Sequence, residues 1–275
     1  MKKSLIALAL VGAFAAPAFA QTAAAPAAPA EEAKGPHTLT ANVGLFSEYR
    51  FRGIAQTAFR PALQGGFDYA HESGFYVGNW NSNVDPSAGY PDGNLEMDFY
   101  GGFKPTFGDF GLDVGGIIYY YPGSSVNGGK NNGETVTNKE LYLGASWKFL
   151  SAKVFYSVDD YFSMRGWDNT FSANGKSTKG TYYGDLSANF DLGDGWGINA
   201  HVGYTDVKNA YNADYTDWKL GVTKDFSGWV VGASYIGTDA KGGTQGVQPY
   251  RFTKSSGYTY DSGKDTVVVS VSRTF

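Results

Sequence analysis

Three histidines, His37, His71 and His201, are the only side chains whose ordinary titration suits proton transfer near neutral pH. Nucleophilic hydrolysis needs such a base beside a serine or an equivalent nucleophile. His201 is the one candidate. It alternates inward on a strand whose predicted neighbour carries Ser187 and Asp185, but any polar interior yields such neighbours, so an outer-membrane hydrolase ranks third among the readings. His37 starts the folded region and His71 falls in a turn, where both read as plain polar positions. The chain has no cysteine, which excludes thiolate chemistry and a disulfide scaffold. Glu96/Asp98 and Asp159/Asp160 offer paired oxygens for a hard cation, yet Asp159 and Asp160 point to opposite faces of a strand and no loop has EF-hand spacing. No glycine pattern sits between a strand and a helix as a phosphate cradle, so neither metal nor cofactor is expected.

The remaining charges make sense only with the elements that carry them. Period-two alternation of apolar residues predicts twelve strands, at about 38–52, 59–69, 75–84, 95–104, 111–121, 139–149, 152–162, 181–192, 196–206, 216–226, 229–238 and 265–275. The fourth is typical: Leu95, Met97, Phe99 and Phe103 alternate with Glu96, Asp98, Tyr100 and Lys104. The third has an ambiguous phase. Its asparagines Asn79, Asn81 and Asn83 are expected inward, with Tyr76, Trp80 and Val84 outward. Connections after even-numbered strands are short, and those after odd-numbered strands are long and rich in Gly, Asn, Ser and Asp. A soluble sandwich has no reason to sort its loops by parity, whereas a transmembrane β-barrel has short turns at one end and long loops at the other. The closing strand ends on an aromatic residue, Phe275, as outer-membrane barrels do, which suggests handling by a barrel-assembly machinery. The fold class is therefore all-β: one antiparallel transmembrane barrel of about twelve strands.

Composition agrees. The chain has 38 Gly, 20 Tyr, 19 Phe and 6 Trp but only 17% charged residues. Residues 1–20 read as a secretory signal, with Lys2 and Lys3, an apolar run from Leu5 to Phe14, and Ala18-Phe19-Ala20 before Gln21. Residues 21–36 are an Ala/Pro-rich flexible linker, and 37–275 the barrel. Loss of Lys2 and Lys3 leaves 20 basic against 26 acidic residues, net −6, which argues against nucleic acid as a partner. Beyond the signal no run approaches the length of a membrane-spanning helix. Two aromatic girdles are expected: Tyr49, Phe51, Phe59, Tyr120, Tyr204 and Trp218 at the long-loop end, and Trp147, Phe149, Phe190, Trp196, Phe226 and Trp229 at the other.

Ala41-Asn42-Val43, Glu48-Tyr49-Arg50-Phe51-Arg52-Gly53-Ile54, Gln64-Gly65-Gly66-Phe67-Asp68-Tyr69, Gly74-Phe75-Tyr76-Val77-Gly78, Asn94-Leu95-Glu96-Met97-Asp98 and Tyr215-Thr216-Asp217-Trp218-Lys219-Leu220-Gly221-Val222 resemble the TorF family of porins across 38–275. The resemblance implies an outer-membrane barrel and supplies no catalytic or substrate-binding residues.

The expected function is passive diffusion of small hydrophilic solutes or ions through a narrow charged lumen, with both termini periplasmic and outer-membrane lipid around the wall. Pore-lining candidates are Glu48, Arg50, Arg52, Arg60, Glu96, Asp98, Glu140, Asp159, Asp217 and Lys219. Arg50, Arg52 and Arg60 facing Glu96 and Asp98 would set a field across the lumen. The alternative is a non-conducting structural or ligand-binding barrel whose charges pair as a salt-bridged plug, since charges in a narrow low-dielectric space need partners. A homo-oligomer stays open, because its interface would resemble lipid-facing surface.

Overall fold

The computed structural model describes residues 35–126 and 133–275. The expected leader, 1–20, lies outside the described residues, as does the linker except Gly35 and Pro36. Twelve long strands follow in chain order: β1 (His37–Phe46), β2 (Ala62–His71), β3 (Phe75–Asn83), β4 (Leu95–Phe103), β5 (Phe110–Tyr120), β6 (Thr137–Trp147), β7 (Leu150–Ser157), β8 (Tyr182–Gly193), β9 (Trp196–Asp206), β10 (Tyr215–Phe226), β11 (Trp229–Thr238) and β12 (Thr266–Thr274). Each pairs antiparallel with its sequence neighbours, and β12 returns to β1 with Val271 opposite Leu45. The terminal residue helps sew this seam: Phe275 and Ala41 exchange both backbone hydrogen bonds, at 2.8 and 3.1 Å. A ring leaves no edge with unpaired backbone groups, the condition for crossing hydrocarbon with strands.

Loops sort by parity as expected. Turns 72–74, 148–149, 194–195 and 227–228 and the connection 104–109 close one end, and 47–61, 84–94, the described parts of 121–136, 158–181, 207–214 and 239–265 start and finish at the other. The tightest turns use left-handed residues that match strand twist: Asp194 (φ 50°) with Gly195 (φ 75°), and Ser227 (φ 55°) with Gly228 (φ 89°). The outer wall is apolar, with Leu39 74% and Leu220 60% exposed, and Trp147, Phe149, Phe190, Trp196, Phe226 and Trp229 ring the short-turn end as exposed side chains. No described helix is long and apolar enough to cross a membrane.

Three expectations need correction. The first strand stops at Phe46, not Arg52, and 47–61 turns into the bore. Its hairpin pairs Arg50–Phe51 with Ile54–Ala55 through Arg52 (φ 47°) and Gly53 (φ 78°). Tyr49 and Phe51, expected in the outer girdle, are buried inside because their rings pack there on Trp80 and Tyr119. The second strand starts at Ala62 and the seventh ends at Ser157, so Arg60 and Asp159 sit in loops. The phase of β3 is the reverse of that expected: Trp80 is 3% exposed and faces the bore, while Phe75, Val77 and the asparagines face outward. Trp80 gains an aromatic partner inside, and this outweighs the preference for putting amides there.

Candidate functional site: the barrel bore

At the long-loop end the bore is filled. Tyr49, Phe51, Trp80, Tyr90, Tyr119, Tyr121 and Tyr183 belong to one buried cluster, against which Phe162 packs. Tyr90 and Tyr121 stack at 3.8 Å with planes 8° apart. Each aromatic buried this way contributes about 1.5–3 kcal/mol. The inward segment brings two arginines into this core. Arg50 grips Glu48 of its own segment with Nε and Nη2, at 3.1 and 3.2 Å, and donates through Nη1 to the Gly53 and Ser262 carbonyls. Arg52 reaches across to β6: Nη2 lies 2.6 Å from Glu140 Oε2, and Nη1 donates to Tyr161 Oη at 3.3 Å. Its guanidinium lies over the Tyr183 ring at 4.3 Å and the Phe51 ring at 4.8 Å. The Arg52 and Glu140 side chains are 1% and 0% exposed. Desolvation of such a pair costs several kcal/mol per ion, so the pair positions the segment more than it stabilises the barrel.

Glu96 and Asp98, on the β4 face beneath Tyr49, are also buried. Tyr49 donates to Glu96 Oε1 at 3.0 Å. Glu96 Oε2 and Asp98 Oδ1 have no protein partner, and no basic side chain among the described residues pairs with either. The expected arrangement of Arg50, Arg52 and Arg60 against Glu96 and Asp98 is therefore not the one formed. Arg60, its side chain 62% exposed, pairs with Asp85 outside the bore. The Asp85 carboxyl is drawn up by burial but held below its ordinary range by the Ser87 hydroxyl and amide and by Arg60. Asp159 is exposed at the rim, 2.9 Å from Lys139.

Toward the short turns the bore is more polar, although Tyr76, Tyr100 and Tyr142 still pack on the cluster. Lys153 pairs with Asp113 at 2.6 Å, and Tyr76 donates to the same carboxylate. Tyr100 donates to Asp68 at 2.5 Å. At mid-height, next to the inward segment, His201 is clamped between two carboxylates, Asp185 at 2.5 Å and Asp217 at 2.7 Å. Both ring nitrogens therefore face carboxylates and neither meets a serine hydroxyl. The Ser187 hydroxyl donates to Asp185, not to His201. Lys219 stands cross-strand from His201, part-exposed. Glu48, Arg50, Arg52, Glu96, Asp98, Glu140, Asp217 and Lys219 thus share the bore, split between a sealed half and a polar half. Sequence reading missed the folding-in of 47–61. Its one signal was Gly53, suited to a left-handed position, set within an otherwise regular alternation.

A closed antiparallel barrel with short turns at one end, an apolar outer band and a charged interior defines a porin-like outer-membrane protein. The chain belongs to the family described as "Bacterial protein of unknown function (Gcw_chp)", whose profile matches residues 30–275. No curated protein sequence matches significantly. Among solved structures, the NanC porin aligns over 86% of this chain and 99% of its own, at 11% identity and a TM-score of 0.51. The KdgM porin covers 86% and 99% at 9% identity and a TM-score of 0.49. At such identity the NanC alignment speaks for the fold alone.

Proposed function

We propose that this protein is a gated diffusion channel of the bacterial outer membrane. Small hydrophilic solutes or ions pass through its bore when the 47–61 segment withdraws. The observation that carries this reading is the division of the bore. The short-turn half keeps part-exposed charges, among them Lys153 and Asp68, beside the rings of Tyr76, Tyr100 and Tyr142, while the other half is filled by the 47–61 segment together with Tyr90, Tyr121 and Phe162 of the neighbouring loops. A barrel that needed only stability would gain more from apolar filling than from buried ion pairs. β1 begins and β12 finishes on the short-turn side, and we take that side to face the periplasm, as the short turns of outer-membrane barrels do. Planar-bilayer recording tests the proposal: the wild type should stay mostly closed, and deletion of residues 48–58 should give steady conductance. A deletion variant that folds into bilayers and never conducts would overturn it and favour the second reading, a non-conducting barrel, for which the near-complete burial of Arg52 and Glu140 speaks.

A further inference from the structure

Glu96 and Asp98 are buried carboxylates for which the described chain supplies no paired positive charge. Both face the bore from β4, 0% and 1% exposed. Asp98 is the next inward residue after Glu96, about 7 Å further along the strand. The bases that share the bore are engaged elsewhere: Arg50 with Glu48, Arg52 with Glu140 and Lys153 with Asp113. Tyr49 donates to Glu96 Oε1, but Glu96 Oε2 and Asp98 Oδ1 meet no protein group. Two bare carboxylates out of water are strongly unfavourable, so something must neutralise them.

A neutral side chain on another strand points to what that is. Gln64 of β2 is 3% exposed, faces the bore, and has no partner for either its amide oxygen or its nitrogen. Strand register puts it in the row of Glu96: Gln64 stands opposite Ser82 of β3, and Ser82 opposite Glu96. Two strand spacings, about 10 Å, separate the Gln64 and Glu96 backbones. Ser82 between them is small, and its hydroxyl is turned to the Asn83 carbonyl. The Tyr121 hydroxyl approaches Glu96 without reaching hydrogen-bond geometry. The unpartnered donors nearby, Gln64 Nε2 and Trp80 Nε1 opposite Asp98, are neutral and cannot discharge two carboxylates.

We infer that Glu96, Asp98 and Gln64 form a site for a hard divalent cation of the calcium class inside the bore. Two carboxylates balance the charge of such an ion, which takes carboxylate, amide and water oxygens together. Zinc would want imidazole or thiolate, and neither stands in these rows. Among the described residues no three acidic or histidine side chains converge, so water completes the shell. Because Tyr49 hangs on Glu96, a bound ion also steadies the inward segment from below.

The inference rests on the fold of the wall and not on conduction. The test is the barrel refolded in a non-ionic detergent, with Tb³⁺ as the luminescent stand-in for Ca²⁺. Tyr49 and Trp80, whose rings meet edge to face at 5.5 Å, are built-in antennae beside the site. The wild type should sensitise Tb³⁺ emission that Ca²⁺ displaces and Na⁺ does not. Its thermal midpoint should be lowest in EDTA and climb steadily with Ca²⁺ concentration. Glu96→Gln/Asp98→Asn should lose both responses, and Gln64→Leu should move them to higher ion concentration. Asp159→Asn, at the exposed rim, should leave them unchanged. Emission that survives in the double variant marks an adventitious ion only and overturns the inference. So does a wild type indifferent to Ca²⁺ and EDTA, whose carboxyls are then neutralised by protons. If the double variant does not fold, Gln64→Leu decides, and titrations identical to the wild type's would overturn the site.

Discussion

At the residue scale, Arg52 carries the most consequence. Its guanidinium is enclosed by Glu140, Tyr161 and the rings of Phe51, Phe155 and Tyr183. Removing one partner of a buried pair leaves the other charge uncompensated, typically about 3–5 kcal/mol. Glu140→Gln should therefore lower the denaturant midpoint of the barrel refolded in micelles and raise its open probability in bilayers. Unchanged values for both would mean that the pair does not hold the segment. Asp85 gives a pH dependence. Its folded-state pKa lies below the ordinary one, so its contribution is present above the ordinary carboxylate range and lost as pH falls through the folded value. The Asp85 amide donates to the Gln56 carbonyl, so this loop is also fastened to the inward segment. Acidification below the ordinary range should loosen the segment and raise conductance, and Asp85→Asn should flatten that response. Since Arg60 is largely exposed, the Ser87 hydrogen bonds carry more of this effect than the ion pair.

At the element scale, the 47–61 segment is a hairpin borrowed from the loops. Gly53 sits at φ 78°, and a Cβ there would meet Thr238 Cγ2 at 2.3 Å and Asp217 Cβ at 2.9 Å. Gly53→Val should cost roughly 1–3 kcal/mol through left-handed strain and this collision. The expected readout is a higher open probability with the barrel's circular dichroism retained. If conductance is unchanged while stability falls, the turn is merely structural. Placing a hairpin inside satisfies Tyr49 and Phe51 with aromatic partners that lipid cannot offer.

At the scale of the whole molecule, closure is what makes the strands compatible with a membrane. Removing 266–275 would strip β12 and expose ladder edges on β1 and β11. Each unpaired backbone group in hydrocarbon costs several kcal/mol. The truncated chain should lose the fast-migrating unboiled band, whereas the full chain should show it. A truncated chain that still migrates as a folded barrel would show that the seam is dispensable.

The alternation in Leu95–Phe103 or Tyr215–Phe226 announced strands directly, because a wall between lipid and a polar interior forces period two on its residues. Loop parity announced the barrel, because short turns and long loops face different compartments. Neither signal reaches a residue whose partner is far away in sequence. Glu48-Tyr49-Arg50-Phe51-Arg52 alternates like a strand, yet it folds inward because Trp80, Tyr119 and Glu140, from three other strands, wait in the bore. The same contacts turned β3 over, placing Trp80 inside and the asparagines outside. Local periodicity was thus settled by the chain itself, while the ownership of charges and aromatics inside the ring was settled only once twelve strands had closed around them.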